Sequence, residues 1–526
     1  MNFASFSRKK TAAIYSTLIL ALWLLWAGIS FGAEARPILV IYHTNDVHGY
    51  VFHEKDNAGN PIRWGYDYVK TVVDRDPSYN KLLLDAGDVL SGQAFANARK
   101  GELVGRMLAM MHYDAIAAGN HDFDFGWERL LSLRDVHRLP FLAANVRENL
   151  DNRRILLSYM SRNFPNLKVG IFGLSTPSTL TTTDPRNIAN LTFESPEETL
   201  KTAGEMVRRL REVEEVNMVI ALTHLGNEPY SEPSSLTLAR EVPGIDLIVD
   251  GHCHSKLTEG LKVGGTTIAS AGQYLENLGR IEVFRSSDGG FEFKAKLLPA
   301  SESEHIVPKP ELSSALEVLR EDMNSELEVV TARSPINLDG ERERIRSNST
   351  NMGRIVCAAL MSRTGADAAI INSGAILDSI PEGDITKGTL LSVMPFGNYT
   401  FTVNMTGADI LDVLKDGLSR PGTGAFPQFY GLSVKARRGE AAVPDGTMEA
   451  LIVSSVTIGG EPLDPDGRYT IAINDFMYHG GDGYVQFAKY PFNEFGTVDY
   501  IFSDFISKAS AEAIRRIDNA EVLTIE

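Results

Sequence analysis

Five short apolar runs in the first half of the chain each end in side chains that can bind a metal ion. Runs of this kind, ending at glycine or polar residues, are typical of buried strands. In an open α/β sheet, ligands gather at the carboxyl ends of parallel strands. The repeated arrangement therefore predicts an α/β sheet that brings these side chains to one edge. In strand order they are Asp46 and His48, Asp88, Asn120 and His121, His224, and His252 and His254.

The donor set predicts a centre for divalent ions such as Zn, Mn, Fe or Co, because it mixes nitrogen and oxygen donors without thiolate. A single short motif is usually an ordinary loop, but five in order are improbable by chance. The donors exceed what one ion needs, and two ions could share Asp88 as a bridging carboxylate. We expect Cys253 to be a bystander, since neighbouring side chains diverge on extended backbone.

The length of 526 residues predicts two domains. Strand-like and helix-like segments alternate over 36–308 and predict an α/β domain, in which Ser195 and Glu198 mark a helix N-terminus. Residues 309–340 predict an exposed linker helix, and 341–526 a second α/β domain with glycine-rich turns. The two cysteines, Cys253 and Cys357, fall in different domains, so we expect no disulfide.

The formal net charge is −17, and such a surface repels polyanions. This excludes polymeric nucleic acid as a partner and leaves a small anionic ligand, if metal ions or arginines supply positive charge. No segment indicates an obligate protein partner.

Residues 1–35 predict a signal peptide, with basic residues at 8–10, a long apolar run and the small-residue pattern Ala33-Glu34-Ala35. The alternative is an uncleaved anchor, which would attach the protein to a membrane. Either way, we expect a periplasmic or extracellular location.

The motifs NDVHG, DAGDVLSG, GNHDFDFG, THLG and GHCHS, with PFGN, GAFPQF and GGDGY in the second half, resemble those of a known family. The chain is similar to the secreted 5'-nucleotidases, including bacterial 5'-nucleotidase/UDP-sugar hydrolases, of the calcineurin-like metallophosphoesterase superfamily. The resemblance covers nearly the whole mature chain. It implies a four-layer αββα metallophosphoesterase domain, followed by an α/β domain that binds the substrate and moves relative to the first.

The activity implied is that of a secreted dimetal phosphohydrolase acting on nucleoside 5'-monophosphates, with UDP-sugar hydrolysis as a further activity. One ion would be held by Asp46, His48, Asp88 and His254, and the other by Asp88, Asn120, His224 and His252. His121 would act on the phosphate, and Asp124 would hold its tautomer and raise its pKa. Asp124 could instead be a surface acid. Asp122 receives only a supporting role in the loop.

In the second domain the resemblance implies that Phe429 and Phe476 clamp the base, that Asp482 binds the ribose and that Asn372 contacts the substrate. Stacking tolerates any base, because every base has a π-face. The alternative is that both phenylalanines are core residues.

Two arginines that the family places near the substrate phosphates are absent, since Asn348 and Leu377 stand there. Neutral side chains cannot replace bidentate phosphate contacts. Either Arg346, Arg354 or Arg420 compensates, or the substrate carries less charge than a nucleoside diphosphate.

Two other functions stay open. The first is a 2',3'-cyclic-nucleotide 2'-phosphodiesterase/3'-nucleotidase or a related hydrolase, which the missing arginines motivate. The second is an inactive binding or adhesion scaffold, against which stands the presence of every predicted ligand and of His121.

Overall fold

The computed structural model describes residues 36–97, 99–183, 187–227, 233–287, 289–442 and 449–526. The predicted signal peptide at 1–35 lies outside the described residues. No helix within the described ranges is long and apolar enough to cross a membrane.

The N-terminal domain is built from strands and helices that alternate along the chain. Its strands are β1 (Leu39–Thr44), β2 (Glu54–Lys55), β3 (Pro61–Arg63), β4 (Lys81–Asp85), β5 (Ala115–Ala117), β6 (Phe141–Leu142), β7 (Val146–Glu148), β8 (Tyr159–Phe164), β9 (Leu167–Ser175), β10 (Leu191–Phe193), β11 (Met218–His224), β12 (Leu247–Asp250), β13 (Leu261–Val263), β14 (Thr266–Ala269), β15 (Asn277–Arg285) and β16 (Phe291–Pro299). Its helices are α1 (Tyr66–Arg75), α2 (Ala94–Asn97), α3 (Glu102–Met111), α4 (Trp127–His137), α5 (Thr179–Thr182), α6 (Pro196–Arg208) and α7 (Ser235–Glu241).

Two six-stranded sheets form the centre of this domain, in the orders β16-β15-β1-β4-β5-β6 and β13-β14-β12-β11-β9-β8. Strands β1, β4, β5 and β6 run parallel in the first sheet. Strands β9, β11, β12 and β14 run parallel in the second. The carboxyl ends of the ligand-bearing strands therefore share an edge within each sheet.

The side chains of β1 show how the layers are arranged, because alternate residues on a strand face opposite sides. Leu39 and Ile41 join the apolar cluster that the two sheets share. Val40 and Tyr42 face the other way and pack with residues of α1 and α3. The outer face of the second sheet packs in the same manner against α6. These contacts confirm the predicted four-layer αββα domain.

Local sequence explains where α6 begins. The Ser195 side chain accepts a hydrogen bond from the backbone of Glu198, and Glu198 bonds back to Ser195, forming a capping box. Pro196 occupies the first turn, where no backbone donor is needed. The predicted N-terminus of this helix is confirmed.

Helix α8 (Pro310–Leu327) follows the N-terminal domain and is only partly exposed. Leu316 and Leu319 are buried in that domain's core, and Asp322 pairs with Arg106. The helix therefore packs against the first domain through one of its faces, whereas the sequence predicts an exposed linker helix. The predicted domain limits at 308 and 341 stay a prediction.

The C-terminal domain is a second α/β unit. Its strands are β17 (Val330–Ser334), β18 (Ala368–Asn372), β19 (Gly383–Thr386), β20 (Tyr399–Thr406), β21 (Pro427–Tyr430), β22 (Leu432–Ala442), β23 (Glu449–Ile458), β24 (Glu461–Pro462), β25 (Arg468–Asn474), β26 (Phe492–Thr497) and β27 (Leu523–Ile525). Its helices are α9 (Arg342–Ile345), α10 (Asn351–Thr364), α11 (Lys387–Val393), α12 (Gly407–Leu418), α13 (Asp475–Tyr478), α14 (Val498–Lys508) and α15 (Ala511–Asp518).

A five-stranded sheet of order β21-β18-β25-β20-β26 forms its centre, and a four-stranded sheet of order β24-β23-β22-β27 lies beside it. Ile371 packs with α10 on one face, while Ile370 packs with α12 on the other. Cys357 is buried on α10, and neither it nor Cys253 forms a disulfide, as predicted.

Candidate metal centre and substrate site

The five predicted strand ends meet at one place in the structure. Asp46 and His48 follow β1, Asp88 follows β4, and Asn120 follows β5. His224 is the last residue of β11, and His252 and His254 follow β12. Both sheets thus deliver donors to a shared edge, and the predicted residues lie together.

Among the described residues, three groups of donors are close enough to hold an ion: one is His121, Asp124 and Glu494, and Asp46 belongs to the other two. Of these two, one contains Asp46, His48 and His254, and the other contains Asp46, Asp88 and His224. The His254 Nε2 atom lies 3.6 Å from Asp46 Oδ1, and the His48 Nε2 atom lies 3.7 Å from Asp88 Oδ2. The two carboxylates therefore stand between the imidazoles.

His224 tests whether the site fits a cation. Its Nδ1 donates to the Ala86 carbonyl oxygen at 2.7 Å, since a carbonyl can only accept. Its Nε2 is fully buried and has no hydrogen-bond partner among the described residues. This atom nevertheless lies 3.0 Å from Asp88 Oδ2 and 3.9 Å from Asp46 Oδ1.

Burial lowers the pKa of His224, but the carboxylates of Asp88 and Asp46 outweigh it and raise the pKa to about 10. The surroundings of His224 therefore favour positive charge. Its Nε2 atom and one oxygen each of Asp46 and Asp88 converge on the same space. That arrangement is what a divalent ion requires.

Asn120 and His252 adjoin these groups. The His252 Nδ1 and Asn120 Oδ1 atoms are 3.0 Å apart, and the His252 backbone N–H donates to both oxygens of Asp46. Asn120 Nδ2 donates to the Thr182 carbonyl, which turns its oxygen towards His252. Their predicted place beside the second ion is compatible with this geometry.

The loops after the strands hold an unusual backbone conformation. Asp46, His48, Asp88, His252 and His254 all have φ between 48° and 81°. This left-handed region costs a residue with a side chain about 1–2 kcal/mol and is typical of functional sites.

Glycine allows the loops to approach each other. A Cβ at Gly119 would lie 2.1 Å from Asp88 Oδ1, and a Cβ at Gly251 would lie 2.8 Å from His224 Nδ1. Both distances are below van der Waals contact, so only glycine fits at these positions.

His121 and Asp124 form the predicted pair on a short 3₁₀ turn at His121–Phe123. The His121 Nδ1 and Asp124 Oδ2 atoms are 3.1 Å apart. Burial lowers the pKa of His121, but the carboxylates of Asp124, Asp88 and Glu494 outweigh this effect and raise the pKa well above its usual range. A cationic imidazole at this position can stabilise charge on a phosphate.

Three residues around this pair were missed by the sequence analysis. The hydroxyls of Ser91 and Tyr399 donate to Asp124 Oδ2 at 2.7 and 2.8 Å. The Glu494 Oε1 atom lies 3.6 Å from His121 Nδ1. Tyr399 follows the PFGN motif directly, which is the one signal that could have identified it; Glu494 carries none.

Asp122 supports the loop, as expected. One of its carboxylate oxygens accepts the backbone N–H groups of Asp88 and Gly119, and the other accepts those of Val89 and Leu90. Its side chain is buried and fixes the backbone of Asp88.

Asn372, Asp482 and Phe476 lie close together in the C-terminal domain, where Asn372 is buried beneath the other two. Asn372 Nδ2 donates to Asp482 Oδ2 at 2.8 Å, and the Phe476 ring lies against Gly481. Phe476 is 44% exposed, which leaves its ring available for stacking.

Phe429 has different surroundings from those the sequence analysis expected. It is 1% exposed and belongs to the core beside Tyr484 and Phe487. In this conformation other side chains cover its ring, which therefore cannot stack on a base. The structure places Phe429 in the core, as in the alternative interpretation.

The candidate arginines also differ. Arg354 donates to the carbonyls of Ser349, Ile517 and Asp518, and Arg420 bonds Asp416 and the Asp482 carbonyl. Arg346 forms no ion pair with any residue of the described ranges, and its buried Nε has no hydrogen-bond partner there. Of the three, Arg346 has an uncommitted guanidinium.

Comparison with known proteins decides the family. Residues 39–256 match the calcineurin-like phosphoesterase family, and residues 329–489 match the 5'-nucleotidase C-terminal domain. A 5'-nucleotidase of Vibrio parahaemolyticus is 30% identical over 90% of this chain and 89% of its own length. The chain belongs to the 5'-nucleotidase family.

Two further relatives agree with this membership. The trifunctional nucleotide phosphoesterase protein YfkN of Bacillus subtilis is 30% identical over 91% of this chain, which spans 34% of that protein. The crystal structure of a 5'-nucleotidase precursor from Thermus thermophilus is 25% identical, with a TM-score of 0.55 over 93% of this chain and 99% of that one.

Membership in the 5'-nucleotidase family makes the chain a metal-dependent phosphoric ester hydrolase with a small nucleotide as its substrate class. The candidate ion groups fit the dimetal centre of calcineurin-like phosphoesterases. The predicted family, fold class and enzyme class are confirmed, while the roles of individual residues stay predictions.

Proposed function

We propose that this chain removes phosphate from nucleoside 5'-monophosphates at a dimetal centre between its two domains. The observation that carries the proposal is His224 Nε2, which is buried and faces two carboxylates with no hydrogen-bond partner among the described residues. A divalent ion between this atom and the two carboxylates would bind all three groups, and the atom lies in the same site as the His121–Asp124 pair.

Two divalent ions would supply Lewis acidity and an activated water, one held by Asp46, His48, Asp88 and His254 and the other by Asp88, Asn120, His224 and His252. His121 donates hydrogen bonds to the phosphate and stabilises the charge that develops on the leaving oxygen. Asp124 holds the imidazole so that Nε2 is directed to the substrate.

The C-terminal domain would present the nucleoside. Asp475, the first residue of α13, is close enough to the first domain to help raise the pKa of Tyr274, after burial and Tyr50. Tyr274 contacts the rings of His48 and His254. Phe476, the next residue on α13, would therefore stack a base at the mouth of the metal site.

Asp482 would accept hydrogen bonds from the ribose hydroxyls, and Asn372, whose amide donates to Asp482 Oδ2, would orient that carboxylate towards the substrate. Arg346 would contribute the positive charge that Asn348 and Leu377 cannot. One arginine would then take the place of the two that the family has near the substrate phosphates. Because fewer phosphate charges can be neutralised, we expect monophosphates to be preferred over nucleoside diphosphates and UDP-sugars. The sequence pattern at 1–35 supports a periplasmic or extracellular location.

A substrate panel tests this function. Phosphate release from AMP, 3'-AMP, 2',3'-cyclic AMP and UDP-glucose would be measured with added Mn, Zn, Co or Mg. We expect the highest kcat/KM with AMP. A higher kcat/KM with 2',3'-cyclic AMP or 3'-AMP would favour the phosphodiesterase alternative, and no hydrolysis with any metal would support the inactive scaffold.

The same assay tests Arg346. Arg346→Met keeps the side-chain length and should raise KM for AMP by roughly tenfold or more, because a charged hydrogen bond to phosphate is lost. Arg333→Met, at a guanidinium that is 78% exposed, is the matched control. Equal KM values for both variants would remove Arg346 from the substrate site.

A further inference from the structure

The carboxylate of Asp124 is held from both domains at once. Its Oδ2 atom accepts hydrogen bonds from Ser91 of the first domain and from Tyr399 of the second, and it also faces His121 Nδ1. The two hydroxyl oxygens are themselves 3.0 Å apart. A single carboxylate oxygen is thus the meeting point of both domains and the imidazole.

Tyr399 makes a second contact with the same pair. Its ring lies on the His121 ring, with centroids 4.3 Å apart and an angle of 36° between the planes. Tyr399 begins β20, and its pairing with Thr497 of β26 fixes its backbone. Its side chain is buried, so both contacts are sheltered from water.

Within the described ranges, the hydroxyls that donate hydrogen bonds to the Asp124 carboxylate are those of Ser91 and Tyr399. A cavity of about 650 Å³ lies between the domains and borders Ser91, Asp124 and Tyr399. On the side that faces the cavity, Asp124 is therefore not packed against other side chains. Its carboxylate is held in place by the hydrogen bonds from Ser91 and Tyr399. Of the two hydroxyl donors, only Ser91 belongs to the same domain as Asp124.

We propose that Tyr399 is a positioning residue, which holds Asp124 and thereby His121 in the catalytic orientation only while the two domains are docked as in this structure. The inference rests on the proposed function, because it assigns His121 to the reaction. If the domains separate, Tyr399 leaves Asp124 while Ser91 stays. Docking of the domains and orientation of His121 are then coupled, and each stabilises the other.

The test compares Tyr399→Phe with wild type in the metal-loaded full chain, using AMP. Phenylalanine keeps the ring on His121 and removes only the hydroxyl. We expect kcat to fall roughly 10-fold or more, the effect of losing one hydrogen bond to a charged group, with KM within about twofold of wild type. Tyr500→Phe, on an exposed tyrosine that borders the same cavity, is the matched control and should change neither value.

A double-mutant cycle separates positioning from a general structural effect. If Tyr399 acts through Asp124, Tyr399→Phe should change kcat by less than about twofold in an Asp124→Asn background. Equal factors in both backgrounds, or no loss of kcat in the single variant, would overturn the inference.

Hydrogen exchange gives a readout that does not depend on activity. Peptides that contain Ser91 and Tyr399 should exchange faster in Tyr399→Phe than in wild type or Tyr500→Phe, because the domain contact is weaker. Equal exchange in all three proteins would contradict the coupling. A wild-type protein that hydrolyses no phosphoester would contradict the proposed function itself, which is a different outcome.

Discussion

Asp122 and Asp124 lie two positions apart and have unrelated surroundings. Asp122 is buried against four backbone N–H groups, whereas Asp124 binds side-chain groups of both domains. Between them, Phe123 is fully buried in the core and fixes the turn. The motif GNHDFDFG therefore combines a backbone support, a core anchor and a partner for His121 within one turn.

Replacing His121 tests the residue that we assign to the phosphate. His121→Ala should lower kcat for AMP by about 10²- to 10⁴-fold, the usual contribution of a general acid. Metal bound by the two groups that contain Asp46 should stay unchanged, because the imidazole belongs to neither of them. His305→Ala, at an exposed histidine, is the control for steady-state kinetics and metal analysis. Unchanged turnover in His121→Ala would refute the assignment.

Replacing Asp122 tests the support of the loop. Asp122→Asn removes one acceptor oxygen and turns an NH₂ group towards backbone donors, so the free energy of unfolding should fall by about 2–4 kcal/mol. Metal binding should weaken as well, because the backbone of Asp88 is displaced. Urea unfolding and metal analysis measure both effects. Asp135→Asn, at a side chain that is 67% exposed, is the control and should leave unfolding and metal content as in wild type.

At the scale of elements, the strands and their order of donors could be predicted from the sequence, because apolar runs and their polar ends are local patterns. The conformation of the loops could not. Asp46, His48, Asp88, His252 and His254 adopt positive φ against their own preference, and only contacts between distant loops hold them there. The same is true of Gly119, whose need for close approach to Asp88 is visible only in the fold.

Gly119 gives a prediction at this scale. A Cβ there would clash with Asp88 Oδ1 and the Asp88 backbone N, so Gly119→Ala should displace the loop after β4. Metal affinity should then fall by roughly tenfold or more, which is the usual effect of losing one contact that supports a metal ligand. Gly204→Ala is the matched control, because it lies on α6 with no atom within 4 Å of its Cβ. That variant should keep its metal and gain about 0.5–1 kcal/mol of stability. Wild-type metal affinity in Gly119→Ala would show that the loop after β4 can accommodate a Cβ, and it would contradict this prediction.

At the scale of the whole molecule, sequence patterns predict functional groups within each domain but not contacts between the two domains. Asp482 and Asn372 are in contact, yet Phe429 is in the core, because a motif does not reveal which face of β21 meets the solvent. Tyr399 and Glu494 reach His121 from the second domain, and no periodicity in one domain predicts its contact with the other. The relation between the domains is where the structure adds most.

The most direct test of the central claim counts metal ions against turnover. The protein would be stripped with a chelator, and phosphate release from AMP would be followed as Mn, Zn or Co is added back. Activity should disappear on stripping and return with metal, reaching its maximum at about two ions per chain, as two-metal phosphoryl chemistry requires. Full activity in the stripped protein, or a maximum at a single ion, would contradict a dimetal nucleotide hydrolase.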